Sequence, residues 1–198
     1  IMVQEVIKRY SAVKDIMMEA VTDAGSFSSI EEVRIFFRDY LDHFFAAWKL
    51  GLAHGKNVEC SASRNFSLLI DRFCPGEFAI TPEGEISMCT RITSARDPGY
   101  ADSIYGRITG DLDIDIDYDR FAKLADDNVH SKDKCFACHA KWHCGGGCMA
   151  HRYVSPPEVL DVICDYTREF VRRMILEKMD REYTENDGIS LRHAVLQN

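Results

Sequence analysis

The sequence predicts an α+β fold: a helical N-terminal segment, then a small β-hairpin, a cysteine-rich knot and a C-terminal helix organised around bound metal. Three observations predict it. Apolar residues recur at three-and-four spacing in the first fifty positions, which is helix periodicity. Two short apolar runs flank the turn Thr81-Pro82-Glu83-Gly84, which reads as a hairpin. Four cysteines crowd into Cys135–Cys148, CFACHAKWHCGGGC, at spacings of two, five and three residues. A Cys-x2-Cys spacing lets two sulfurs converge on one metal centre. The three glycines, Gly145 to Gly147, let the backbone fold back tightly between the last pair.

Composition narrows the function classes. At 198 residues the chain can bury roughly 70% of its extended surface, so it needs no covalent staples. A net charge of −8 argues against a nucleic-acid partner. No apolar run reaches the length of a membrane span, and Ile1–Tyr10 reads as an amphipathic helix rather than an export signal. A cytoplasmic location follows as the expectation. Eight cysteines without an export signal, clustered at chelating spacing, point to metal rather than disulfides. A start at Ile1 suggests a fragment.

Residues 1–24 carry Val3, Val6, Ile7, Tyr10, Val13, Met17, Ala20 and Val21 on one helical stripe, which Gly25 would end. Ser29-x-x-Glu32 is a capping box for a second helix. Its broad face of Val33, Phe36, Phe37, Tyr40, Leu41, Phe44, Phe45 and Trp48 reads as core rather than a cofactor box. Cys60 follows in a polar stretch, where a lone cysteine is ordinarily a small buried hydrophobe. The strands Phe78–Ile80 and Ile86–Met88 form the hairpin, with Cys74 before the first and Cys89 after the second. A hairpin brings those two ends together.

Residues 91–110 read as an irregular connector. The aspartates 111, 113, 115, 117 and 119 then alternate with apolar residues. No register supplies the glycine and glutamate of a calcium loop, so a half-buried strand with a solvated acidic face is the better reading. A short helix with Phe121 and Leu124 inward follows. His139, His143 and His151 lie in or beside the knot and rival some cysteines as zinc ligands. Ser155-Pro156-Pro157 opens the last helix, which carries Cys164 in its first turns. From Glu177 the chain turns polar.

The cysteine order resembles that of the SPASM domain, an auxiliary-cluster extension of radical SAM enzymes that modify peptides and proteins. Cys74, nine residues, Gly84, four residues and Cys89 match its first part. Cys135-x2-Cys138-x5-Cys144-x3-Cys148 match the second, and Cys164 the third. The likeness covers roughly residues 60–170. It implies two [4Fe–4S] clusters with interleaved ligands, each ordinarily held by four thiolates. Cys74, Cys89 and Cys148 would hold the first cluster, and Cys135, Cys138, Cys144 and Cys164 the second. Members with a fully ligated first cluster carry a further cysteine a few residues before the position of Cys74. Phe66–Phe73 holds none. Either Cys60 loops in as the fourth ligand, completing two sets from eight cysteines, or the first cluster has an open iron.

The resemblance divides the chain into residues 1–58, the end of a radical SAM core or a bridge from it; 59–176, the auxiliary-cluster domain; and 177–198, a polar tail. It implies a peptide or protein substrate and a radical SAM core domain as partners. The Cys-x3-Cys-x2-Cys motif that binds the catalytic cluster is not in this sequence. S-adenosylmethionine would therefore act only through a core outside this chain, and no residue here is expected to be catalytic. The alternative is a zinc-binding structural or protein-interaction module without a redox role, in which His139 or His143 replaces one thiolate.

Overall fold

The computed structural model of the chain describes residues 2–22, 24–110 and 113–185. It is mixed α+β, with a helical N-terminal part and a small sheet. The elements are α1 (Met2–Arg9), β1 (Asp15–Met17), α2 (Ile30–Ala53), β2 (Asn57–Glu59), α3 (Ser61–Phe66), β3 (Ala79–Ile80), β4 (Glu85–Ser87), α4 (Tyr100–Ser103), β5 (Ile104–Ile108), β6 (Ile114–Ile116), α5 (Tyr118–Ala125), α6 (Lys141–Cys144), α7 (Met149–Val154) and α8 (Pro157–Glu185).

The single helix expected over residues 1–24 is not formed. α1 stops at Arg9, and β1 pairs in parallel with β2, Ile16 opposite Val58. Two interactions favour the strand. Ile16 and Val58 bury together with Val3. The buried Lys56 ammonium donates to the carbonyls of Ser11 (2.6 Å), Tyr10 (3.4 Å) and Val13, so these carbonyls find a cation instead of helix amides. Tyr10, Val13, Met17 and Val21, placed on the expected stripe, are exposed.

α2 begins at the expected cap: Ser29 Oγ accepts from the Glu32 amide at 3.2 Å. The Glu32 carboxylate reaches the amide and hydroxyl of Ser28 rather than Ser29, so the box is displaced by one residue. Its aromatic face is core, as the periodicity implied. Tyr40, Leu41, Phe44 and Phe45 pack on Phe170 and Met174 of α8, and Val33 and Phe37 pack on Val159 and Val162. Phe44 and Phe170 are fully buried, with ring centroids 5.2 Å apart.

The hairpin forms in the expected place, with Ala79 opposite Ser87 and Ile80 opposite Ile86. It belongs to a larger antiparallel sheet of order β3-β4-β5-β6. The stretch 91–110, expected to be irregular, supplies α4 and β5, one of the two inner strands. Gly106 is the reason β5 fits: a Cβ there would stand 2.6 Å from the Asp115 carbonyl of β6. Ile86, Met88 and Tyr105 make a second small core beneath the sheet.

β6 forms within the alternating run and Asp115 faces solvent, but the expected half-burial does not hold: Ile114 is exposed too and Ile116 only partly buried, because β6 is an edge strand that packs a single side chain against the sheet's core. Asp111 and Leu112 lie outside the described residues. The polar tail expected from residue 177 is helical as far as Glu185, because α8 continues without a break; residues 186–198 lie outside the described residues.

Candidate metal centres

All eight cysteines are free thiols, and the fold divides them into two groups and one remainder. The hairpin supplies the first group. Cys74 precedes β3, Cys89 follows β4, and Cys148 stands at the start of α7. All three line one cavity of about 150 Å³, and Cys89 lies within electrostatic range of both Cys148 and Cys74. Phe73, Met88, Leu124 and Met149 close much of the cavity wall, and no fourth thiol lines it. Burial pushes the Cys89 thiol up, opposed by the backbone amide of Arg91 pointing at the sulfur.

The knot and α8 supply the second group. Cys144, at the end of α6, lies within range of Cys164 and Cys135, and Cys135 within range of Cys138. Burial pushes the Cys144 thiol up to about 11; Cys164 adds to the rise, and the Gly146 amide opposes it. Burial raises Cys135 against the pull of Lys132, and raises Cys164 against that of Arg168. The Arg168 guanidinium also donates to the Cys138 sulfur.

The glycine run joins the two groups. Gly145 ends α6 at φ +61°, and its carbonyl accepts from the Phe73 amide at 2.7 Å, which holds the segment before Cys74 against the knot. Lys132 donates to the Gly146 carbonyl at 3.0 Å and pairs with Asp127 at 3.2 Å. The Gly146 amide is left to point at the Cys144 sulfur, and the Gly147 amide, which donates to the Cys144 carbonyl at 3.4 Å, lies beside it.

Cys60 does not join the first group. It is buried in the aromatic core between α2 and α8, beside the Tyr40 hydroxyl, which donates to the Met18 carbonyl, and burial pushes its thiol up. Its polar neighbours there are Tyr40, Ser63 and Glu19. The cause is the strand pairing: Cys60 directly follows β2, and the parallel pairing with β1 fixes it beneath α2. We therefore expect Cys60→Ala to keep its full metal content while losing about 1 kcal/mol of stability from the small cavity it leaves. Metal per chain and a urea midpoint check this; loss of about half the metal would return Cys60 to the ligand set.

The rival histidines are engaged elsewhere or stand apart from the thiols. His139 Nε2 meets the Arg168 carbonyl at 3.2 Å, His151 Nε2 meets Arg91 at 2.9 Å, and His143 stacks on Phe66 at 4.7 Å. Among the described residues, no group of three or more His, Cys, Asp or Glu side chains is closed about the position of a single metal ion. Comparison with protein-family models, curated proteins and solved structures finds no match.

The donor chemistry fits thiolate-held iron–sulfur clusters. The groups contain sulfur, a largely apolar wall at the first site, and amide or guanidinium N–H groups aimed at Cys89, Cys138 and Cys144. The thiols also carry a pH signature. Without metal, a thiol raised in the fold keeps its proton where the unfolded chain has lost it. The stability Cys144 contributes is therefore full below about 9 and lost as pH rises through about 11. The urea midpoint of metal-free protein should fall across that window, and Cys144→Ala should flatten the fall.

Proposed function

We propose that this chain is the auxiliary-cluster region of a radical SAM enzyme that modifies a peptide or protein. One observation carries the reading: seven of the eight thiols are grouped as three and four, along the interleaved division that the resemblance to the SPASM domain implies. Cys74, Cys89 and Cys148 would hold one [4Fe–4S] cluster, and Cys135, Cys138, Cys144 and Cys164 the other. When bound, such clusters supply one-electron storage and transfer beside a substrate. The chain's own part is to set their potential through the Arg91, Gly146 and Gly147 amides and Arg168, and to screen the first site behind Phe73, Met88, Leu124 and Met149. With only three thiols, the first site has a coordination position for a substrate group.

The N-terminal part supports the same reading. β1, α2 and β2 form a strand–helix–strand unit with parallel strands. Parallel sheets ordinarily occur as larger sheets buried on both faces. A two-stranded example is what the end of a larger α/β core would contribute. Residues 1–58 are accordingly proposed as the end of the radical SAM core.

The test is iron, acid-labile sulfide and zinc per chain on anaerobically prepared protein, with a visible spectrum. The expected result is about eight irons with matching sulfide. Zinc without iron, even after anaerobic reconstitution, would replace this reading with a structural zinc module.

A further inference from the structure

The four-stranded sheet ends in β3 on one side and β6 on the other, and the two edges differ. We infer that the outer edge of β3 binds an extended, basic segment of the peptide substrate as an added strand, whose continuation enters the cavity of Cys74, Cys89 and Cys148. The inference rests on the proposal that the substrate is a peptide, and names the surface that holds it and the chemistry of the segment held.

The hydrogen-bond ladder shows which groups are free. Successive residues of a strand turn their main-chain groups to opposite edges. The Glu77 amide donates to the Met88 carbonyl at 2.9 Å, the Thr81 amide donates to the Glu85 carbonyl at 2.8 Å, and Ala79 stands opposite Ser87. Glu77, Ala79 and Thr81 are thereby committed to β4. Phe78 and Ile80 turn their N–H and C=O groups to the outer edge, where they bond to none of the described residues. Both are about half exposed, at 52% and 53%, so water and an incoming chain can reach them. These are the alternating donors and acceptors that strand addition uses.

Proteins ordinarily blunt such an edge with charge or proline. β6 is blunted: Asp115 lies within it, and Asp113 and Asp117 flank it. Phe78-Ala79-Ile80 has neither charge nor proline. Ile80 stands opposite Ile86, Ile86 opposite Gly106, and Gly106 opposite Ile116. Ile80 is therefore the outermost member of a row that leads into the small core of Ile86, Met88 and Tyr105. An added strand with apolar residues at alternate positions would cover Phe78 and Ile80 and extend that row.

Position and charge identify the occupant. Gly76 and Glu77, directly before Phe78, line the cavity of the first thiol group, so a segment paired along β3 leads into it at one end. Glu77 is exposed and has no ion-pair partner among the described residues. The cations on the same cavity are turned elsewhere: Arg72 to the carbonyls of Ala125 and Pro75, and Arg91 to His151. Glu85, on the neighbouring strand, receives the Tyr100 hydroxyl. The charge left at the cavity end of the edge is negative, in a chain of net charge −8, and it favours a basic segment.

The experiment titrates the full chain with a capped Lys-Thr-Val-Thr-Val-Thr peptide, its counterpart with glutamine for lysine, and its counterpart N-methylated along the backbone. Hydrogen exchange follows the Phe78, Ala79 and Ile80 amides. We expect the lysine peptide to bind about threefold more tightly than the glutamine peptide at low salt, the value of one exposed ion pair, and Glu77→Gln to remove the difference. The methylated peptide, which has no donors left, should not bind. The Phe78 and Ile80 amides should become protected, while Ala79, already paired with β4, should not change. Ile80→Pro removes an amide that serves only the outer edge, so the urea midpoint should hold while affinity falls about tenfold. Should that variant fail to fold, the methylated peptide makes the same test on the parent chain. No binding, equal binding of the methylated or the glutamine peptide, or binding that leaves Phe78 and Ile80 unprotected overturns the inference. So does protection of those two amides that rises with protein concentration without peptide, which would make the edge an interface between two copies. Iron content separates the two proposals. A chain with about eight irons that ignores the peptides refutes only this surface, and a zinc-only chain that binds the lysine peptide refutes only the maturase reading.

Discussion

Cys138→Ala is expected to remove about half of the bound iron and sulfide, and Cys89→Ala to remove the other half. The two changes act on different groups. Cys138 neighbours Cys135 and accepts from Arg168 of α8, whereas Cys89 faces Cys74 and Cys148 across the cavity beside the hairpin. Although the groups interleave in sequence, no element is common to both: Cys144 ends α6 and Cys148 begins α7, with the glycine run between them. Loss of the second cluster should free the knot from α8, and loss of the first should free the hairpin from the knot. Iron and sulfide per chain, with electron paramagnetic resonance of the reduced proteins, distinguish the outcomes. The double variant should be iron-free. If each single change removes the same fraction and the same signal, the grouping into three and four is wrong. Cys138→Ser and Cys89→Ser repeat the test should either alanine variant fail to fold.

How much of this was legible in the sequence depends on whether the signal was local. The hairpin was legible because Thr81-Pro82-Glu83-Gly84 sets its own turn: the Gly84 amide donates to the Thr81 carbonyl at 2.9 Å. The aromatic face of α2 was legible because its partner stripe on α8 has the same period. β1 was not. Three residues with one buried side chain leave almost no alternation, and the Lys56 interaction that releases α1 comes from far along the chain. β5 was hidden by Gly106, which lowers strand propensity while permitting the close approach of β6. The approach of Cys74 and Cys89 was legible from the hairpin between them, whereas the place of Cys148 beside them came only from the family resemblance. The position of Cys60 was not legible, because only the β1–β2 pairing fixes it under α2.

Gly145→Ala should be the most damaging single substitution outside the thiols, costing about 4 kcal/mol. Two effects add. Gly145 has φ +61°, where an alanine costs about 1–2 kcal/mol from backbone sterics alone. Its Cβ would also stand 2.3 Å from Phe73 N and 2.5 Å from Arg72 C, both backbone atoms that no rotamer change can move. Relief requires the segment before Cys74 to withdraw, which breaks the bond from the Phe73 amide to the Gly145 carbonyl. Gly147→Ala is the control: it too has positive φ, at +80°, but a Cβ there meets nothing within 4 Å. Its cost should be the backbone contribution alone, about 1–2 kcal/mol. Urea midpoints of the metal-free proteins measure this difference without any contribution from cluster binding. In the anaerobic protein, Gly145→Ala should lower the iron of both groups together, because the contact it breaks positions Cys74 on one side and Cys144 on the other. Equal midpoints for the two variants would mean that the Phe73–Gly145 approach does not hold the hairpin to the knot, and that the thiols must be drawn together by the clusters themselves.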